Sequence, residues 1–131
     1  MIPTESIIFL YKPSLHKFIK FNKLLWSLKD YLLLKKNSFM KIGTITLHFV
    51  LPSETLKEKR RFINSIKDKT RAKFNVSIAE IDLLDKINES IVGIAFISND
   101  GNYTNQVVSS IVDYLEKEFI GLINDYSVEI L

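Results

Sequence analysis

From Ile42 to Val50 apolar and polar side chains alternate, with Ile45, Leu47 and Phe49 on one side of an extended chain and Thr44, Thr46 and His48 on the other. Successive side chains of a strand point to opposite faces, so this alternation predicts a strand with one buried side. Pro52 and Ser53 end it. Thr55-x-x-Glu58 then reads as a capping box, in which Thr55 accepts from the backbone amide near Glu58 while Glu58 reaches back. The helix it opens is expected to bury Leu56, Phe62, Ile63 and Ile66 and to end near Arg71 to Phe74. Val76 to Leu83 reads as a second strand, followed by polar turn formers from Leu84 to Glu89. Ser90 to Ser98 reads as a third strand that is apolar on both faces, Ile91, Ala95 and Ile97 on one and Val92, Ile94 and Phe96 on the other. Asn99-Asp100-Gly101-Asn102 is turn chemistry. Tyr103 to Glu118 has helical spacing with Tyr103, Val107, Val108, Ile111, Val112 and Leu115 inward, Gly121 helps to close it, and Tyr126 to Leu131 is the last strand.

The order β-α-β-β-α-β is the split-βαβ pattern. It predicts an α+β, ferredoxin-like fold over residues 40–131, a four-stranded antiparallel sheet with both helices on one face. In this fold the second strand is an edge. A third strand apolar on both sides leaves large side chains on the open face, where a second copy of the sheet would cover them by twofold symmetry. A homodimer through the open sheet face is therefore expected; the alternative cover is the N-terminal segment.

Residues 1–39 have a different character. Leu15, Phe18, Ile19, Leu25, Leu28 and Leu32 fall at helical spacing, with Lys17, Lys20 and Lys23 largely on another side. That is a basic amphipathic pattern, suited to an anionic membrane surface. Lys interrupts every apolar run well short of the ~20 residues of a membrane span. The acidic start and missing small-residue cleavage site do not fit a signal peptide. Three readings stand: a start codon placed too early, a helix that binds a membrane or partner, or an ordinary extra helix.

Charge follows the same boundary. The net charge of the 131 residues is +3, but residues 1–39 hold seven Lys against Glu5 and Asp30. Residues 40–131 hold eleven basic and thirteen acidic residues, a net of −2. The basic balance therefore belongs to the N-terminal segment, and a nucleic-acid argument from overall charge fails. There is no Cys, which removes disulfides, Cys-ligated zinc and thiol nucleophiles. Two His, at 16 and 48, are too few and too scattered for a His-based metal site, and no metal or other cofactor is expected.

The first helix is the exception to the acidic balance. It carries eight Lys/Arg between 57 and 73 against Glu58 and Asp68. Helical spacing puts Lys57, Arg60, Arg61, Lys67 and Arg71 on one broad solvent face, and Lys59 belongs to the same cluster as a candidate phosphate contact. Two readings are open: a ridge that reads a phosphate backbone, or a solvated face laced by internal Glu–Lys pairs. Glu80 and Asp82, two apart on a strand, are expected on one face with His48 on the same side, an arrangement that could serve acid–base chemistry or a metal. Inward charges on an edge strand also deter unwanted pairing. Ser98 to Gly101 reads as a helix cap or an anion-binding turn. The third strand has one Phe and no charge, so it lacks the RNA-recognition-motif signature, and RNA would use the helical ridge rather than the sheet.

Met40-Lys41-Ile42-Gly43, the block Thr55 to Arg61, the block Phe74 to Asp82, and Ser98-Asn99-Asp100 occur in order across residues 40–131. In these the chain resembles the bacterial YlxP-like family, domain-of-unknown-function family 503. The resemblance implies a ferredoxin-like fold beginning where Met40 stands, oligomers, and no established activity. It also implies genes near those of translation factors, hence RNA or the ribosome as partner. The resulting expectation is a cytoplasmic, non-enzymatic accessory protein. The alternative is a self-associating interaction module that binds no nucleic acid.

Overall fold

The computed structural model describes residues 39–131; the amphipathic pattern of residues 15–34 and its membrane reading lie outside the described residues. The elements are β1 (Lys41–Val50), α1 (Leu56–Lys73), β2 (Ser77–Asp82), β3 (Glu89–Ser98), α2 (Gly101–Glu118) and β4 (Ile123–Ile130). The strands make one antiparallel sheet in the order β2-β3-β1-β4. With the two helices this is the ferredoxin-like βαββαβ fold, and β2 and β4 are its edges. No helix among the described residues is long and apolar enough to cross a membrane.

The alternation in β1 does what its period requires. Ile45, Leu47 and Phe49 are buried, and the register sets Ile45 opposite Ile94 and Leu47 opposite Val92. These side chains meet Ile63 and Ile66 of α1 and Val108, Ile111 and Leu115 of α2 in one core. Each large aliphatic buried there contributes about 1.5–3 kcal/mol. α2 approaches β1 so closely at Gly43 that a β-carbon there would lie 2.6 Å from Val108 Cγ2 and 2.8 Å from Thr104 Cγ2. Glycine at this place is a packing requirement: any side chain would push the helix off the sheet.

The helix ends are fixed locally. Thr55 Oγ1 accepts from the Glu58 amide at 3.1 Å, while Glu58 Oε2 accepts from the Glu54 amide at 2.9 Å, one residue before the position a capping box uses. Asp100 accepts from the Tyr103 amide at 3.1 Å, and its own amide donates to Ser98 Oγ at 3.1 Å. The turn before α2 is thus a cap, with the Asp100 carboxylate occupying the place an anion would take.

Two apolar positions differ from the sequence expectation. Leu56 is 37% exposed and Tyr103 52% exposed, although both were expected inward. The inward stripe of α1 is Lys59, Ile63, Ile66 and Thr70, and that of α2 includes Thr104. The polar members have internal partners, so they can replace apolar side chains there. Thr70 Oγ1 donates to the Ile66 carbonyl at 2.6 Å, and Thr104 Oγ1 to the Asp100 carbonyl at 2.8 Å. Tyr103 instead lies edge-on to Phe96 at the rim. β4 begins at Ile123, earlier than its apolar pattern suggests, because a register shift after His48 lets Ile123 pair with Phe49.

Candidate nucleic-acid interface

The eight cations of α1 are sorted by the fold. Lys59 is 2% exposed and is no surface contact, which corrects its place in the expected phosphate-binding set. Its ammonium donates to the carbonyls of Leu83 and Lys86 at 2.6 Å each and to that of Leu84 at 3.4 Å. It also pairs with Glu80 Oε2 at 3.0 Å, and that same oxygen accepts from Ser90 Oγ at 2.6 Å. The physical reason is helical spacing: residue 59 stands on the stripe 59-63-66-70 and can lie inward only because a turn supplies it with acceptors. That turn holds Leu83 at φ 59°, an uncommon backbone conformation for a residue with a side chain. The Asp82 carboxylate accepts from the Leu83 amide at 2.7 Å.

Lys69 and Lys73 are drawn to the other flank, toward α2. Lys69 Nζ donates to Glu118 Oε1 at 2.6 Å and lies 5.6 Å from the Phe119 ring centre. The hydrogen bond with Glu118, and then its charge, hold the Lys69 ammonium above its ordinary pKa. Lys73 sits 4.4 Å over the Tyr114 ring.

Lys57, Arg60, Arg61, Lys67 and Arg71 remain, within roughly 120° of the helix perimeter at 3.6 residues per turn. Lys57, Arg60, Arg61 and Arg71 are exposed and Lys67 is half-buried. None of the five belongs to an ion pair among the described residues. Arg71 donates to the Ile78 carbonyl of β2 at 3.2 Å, which ties this flank to the edge strand with most of its donors still in solvent. Arg60, Asn64, Lys67 and Arg71 follow one another three or four residues apart, so they form a single row. Between that row and the β2 edge runs a groove of about 510 Å³. Leu56, Ile63 and Leu84 give it apolar walls and the edge of β2 at Ala79 bounds it; Lys59 and Glu80, already paired, close its inner side, and Asp85 stands on the turn across from the row.

The expected His48, Glu80 and Asp82 constellation is not formed. Glu80 is opposite Val92 and turns to the helix side of the sheet, where it meets Lys59. A register shift between Glu80 and Asp82 breaks the two-residue alternation. His48 is opposite Ile91 on the open side, where Nε2 donates to Glu89 Oε1 and Nδ1 accepts from Asn124 Nδ2, each at 3.1 Å. Hydrogen bonds from Lys86 first, and then from His48, hold the Glu89 carboxyl below its ordinary pKa. Among the described residues no group of three His, Asp or Glu could hold a metal ion.

On that open face Ile81 and Ile97 are 54% and 56% exposed. A β-carbon at Gly93 would come within 3.2 Å of two Ile81 atoms, so Ile81 lies across a low point of the sheet made by Ala79, Gly93 and Ala95.

Residues 42–127 match the model of a family described as "Protein of unknown function (DUF503)". No curated protein matches the chain. A solved structure named "De novo designed protein Foldit4" is similar at 15% identity and a TM-score of 0.47, over 70% of this chain and 96% of that one.

Proposed function

The chain belongs to the DUF503 family, whose function is unknown, and from that premise we propose a non-enzymatic accessory protein that binds RNA through the outer flank of α1. One observation supports the reading above all. Internal partners take Lys59, Lys69 and Lys73 and leave five cations together, on a domain whose residues 40–131 are otherwise acidic. A merely solvated helix face would pair its charges with carboxylates three or four residues away; here Glu58 reaches back to the cap instead. A row of unpaired cations is what a phosphate backbone requires, because each neutralised phosphate releases counterions.

The test is RNA binding by the full chain across a salt series. Five contacts to single-stranded RNA give a slope of log K against log salt of about −3.5, a loss of roughly a hundredfold between 50 and 200 mM. A slope near zero, or no binding at the lowest salt, rejects the proposal.

A second reading, self-association through the open sheet face, rests on Ile81 and Ile97, which stand exposed beside the small side chains of β2 and β3 on that face. Burying such side chains against a second copy favours a dimer. Light scattering of the full chain is expected to give a dimer, and Ile97→Lys a monomer. A monomeric wild type at all concentrations removes this reading and leaves RNA binding untouched.

A further inference from the structure

We propose that the groove between α1 and the β2 edge receives an unstacked nucleobase, so that the ligand class of the cationic flank is single-stranded RNA and not duplex. The inference deepens the RNA-binding reading and rests on it.

Two properties of the groove carry it. Its charge is divided. Arg60 and Lys67 stand on the helix wall, and Asp85 stands on the turn opposite. A phosphate is therefore drawn to the helix side and repelled from the turn, whereas an uncharged ring is admitted between them. Its chemistry is also mixed. Leu56, Ile63 and Leu84 supply apolar surface, and Asn64 sits in the row between Arg60 and Lys67 with an amide that both donates and accepts. A surface that reads phosphates alone needs no apolar cleft, and a cleft for an apolar ligand needs no flanking cations. A nucleotide with its base turned out requires both, and only single-stranded segments present bases that way at little cost. The volume of about 510 Å³ is ample for one base with its sugar at the rim. The contact to the base is aliphatic, since no aromatic side chain lines the groove. The groove thus supplies affinity for a base face, with Asn64 and Asp85 placed to take hydrogen bonds from its edge.

The experiment compares three ligands at one low salt concentration: a short single-stranded RNA, the duplex of the same sequence, and an abasic strand of the same backbone. With the full chain, the single strand is expected to bind about tenfold more tightly than the abasic strand, the gain from burying roughly 50 Å² of base face against aliphatic side chains, and more tightly than the duplex. Leu84→Ser, on the exposed turn, removes apolar wall from the groove without changing charge. It is expected to remove the advantage over the abasic strand while leaving abasic binding and its salt slope as in the wild type. Leu56→Ser, at the exposed start of α1, is expected to do the same and guards against a perturbed turn. Equal binding of the single strand and the abasic strand, both falling steeply with salt, overturns the groove and leaves the phosphate-reading flank in place. Binding of none of the three overturns both.

Discussion

Lys59→Met is expected to destabilise the domain by about 3–5 kcal/mol, the usual cost of removing one partner from a buried ion pair. The Met side chain has similar volume, so packing of the stripe is nearly preserved and the loss is electrostatic. Glu80 keeps Ser90 as a donor but loses the ammonium 3.0 Å away. The carbonyls of Leu83 and Lys86 lose their 2.6 Å bonds to the ammonium, and acceptors orphaned in a partly buried turn add to the cost. The β2–β3 turn should loosen first. Its ties to β1 and the loop after it, Ser53 Oγ to the Ile87 carbonyl and the Leu51 amide to the Asn88 carbonyl, remain. Urea unfolding measures the loss, and amide exchange at residues 83–88 locates it. A cycle with Glu80→Gln divides the effect: if the ion pair dominates, the double-mutant loss falls well short of the sum of the two single losses, and if the carbonyls dominate, Glu80→Gln is mild. A loss below about 1 kcal/mol for Lys59→Met would mean that the network holds nothing together.

That lysine also marks the limit of what could be read from the sequence. The spacing 59-63-66-70 was present in the residues, so Lys59 could have been assigned to the inward stripe from period alone. What no period shows is that a turn 24 to 27 residues away supplies three carbonyls to satisfy it. A buried lysine is thus legible as a position and illegible as a bond. The strands and helices themselves followed from alternation, caps and turns, because those signals are local. Glu80 and Asp82 misled for a related reason: two residues apart means one face only while the strand stays regular, and the shift after Glu80 arises from pairing with β3. The same holds for Leu56 and Tyr103, apolar side chains near helix starts whose exposure depends on where the helix axis crosses the sheet. The cationic flank was legible as a set of residues. Its purification, with Lys59, Lys69 and Lys73 removed to other partners, required tertiary structure.

Arg60→Glu combined with Arg61→Glu is expected to lower RNA affinity by at least about 25-fold at 0.1 M salt. The figure follows from losing two of five phosphate contacts at about 0.7 counterions each, before any repulsion from the new carboxylates is added. The salt slope should flatten with it, from about −3.5 to about −2 or shallower. Both arginines are exposed and join no ion pair among the described residues, so the melting curve should stay close to that of the wild type. A loss of affinity from net charge alone must be separated from a loss of contacts. The neutral pair Arg60→Gln with Arg61→Gln and the neutral pair Lys69→Gln with Lys73→Gln remove the same charge from opposite flanks of one helix. If the outer flank of α1 is the binding surface, the arginine pair loses about 25-fold and the lysine pair only a few-fold, through long-range field. Equal losses would show a diffuse electrostatic attraction with no site. Unchanged affinity and slope in the charge-reversed protein would remove α1 from RNA binding altogether and leave its cations as a solvated surface.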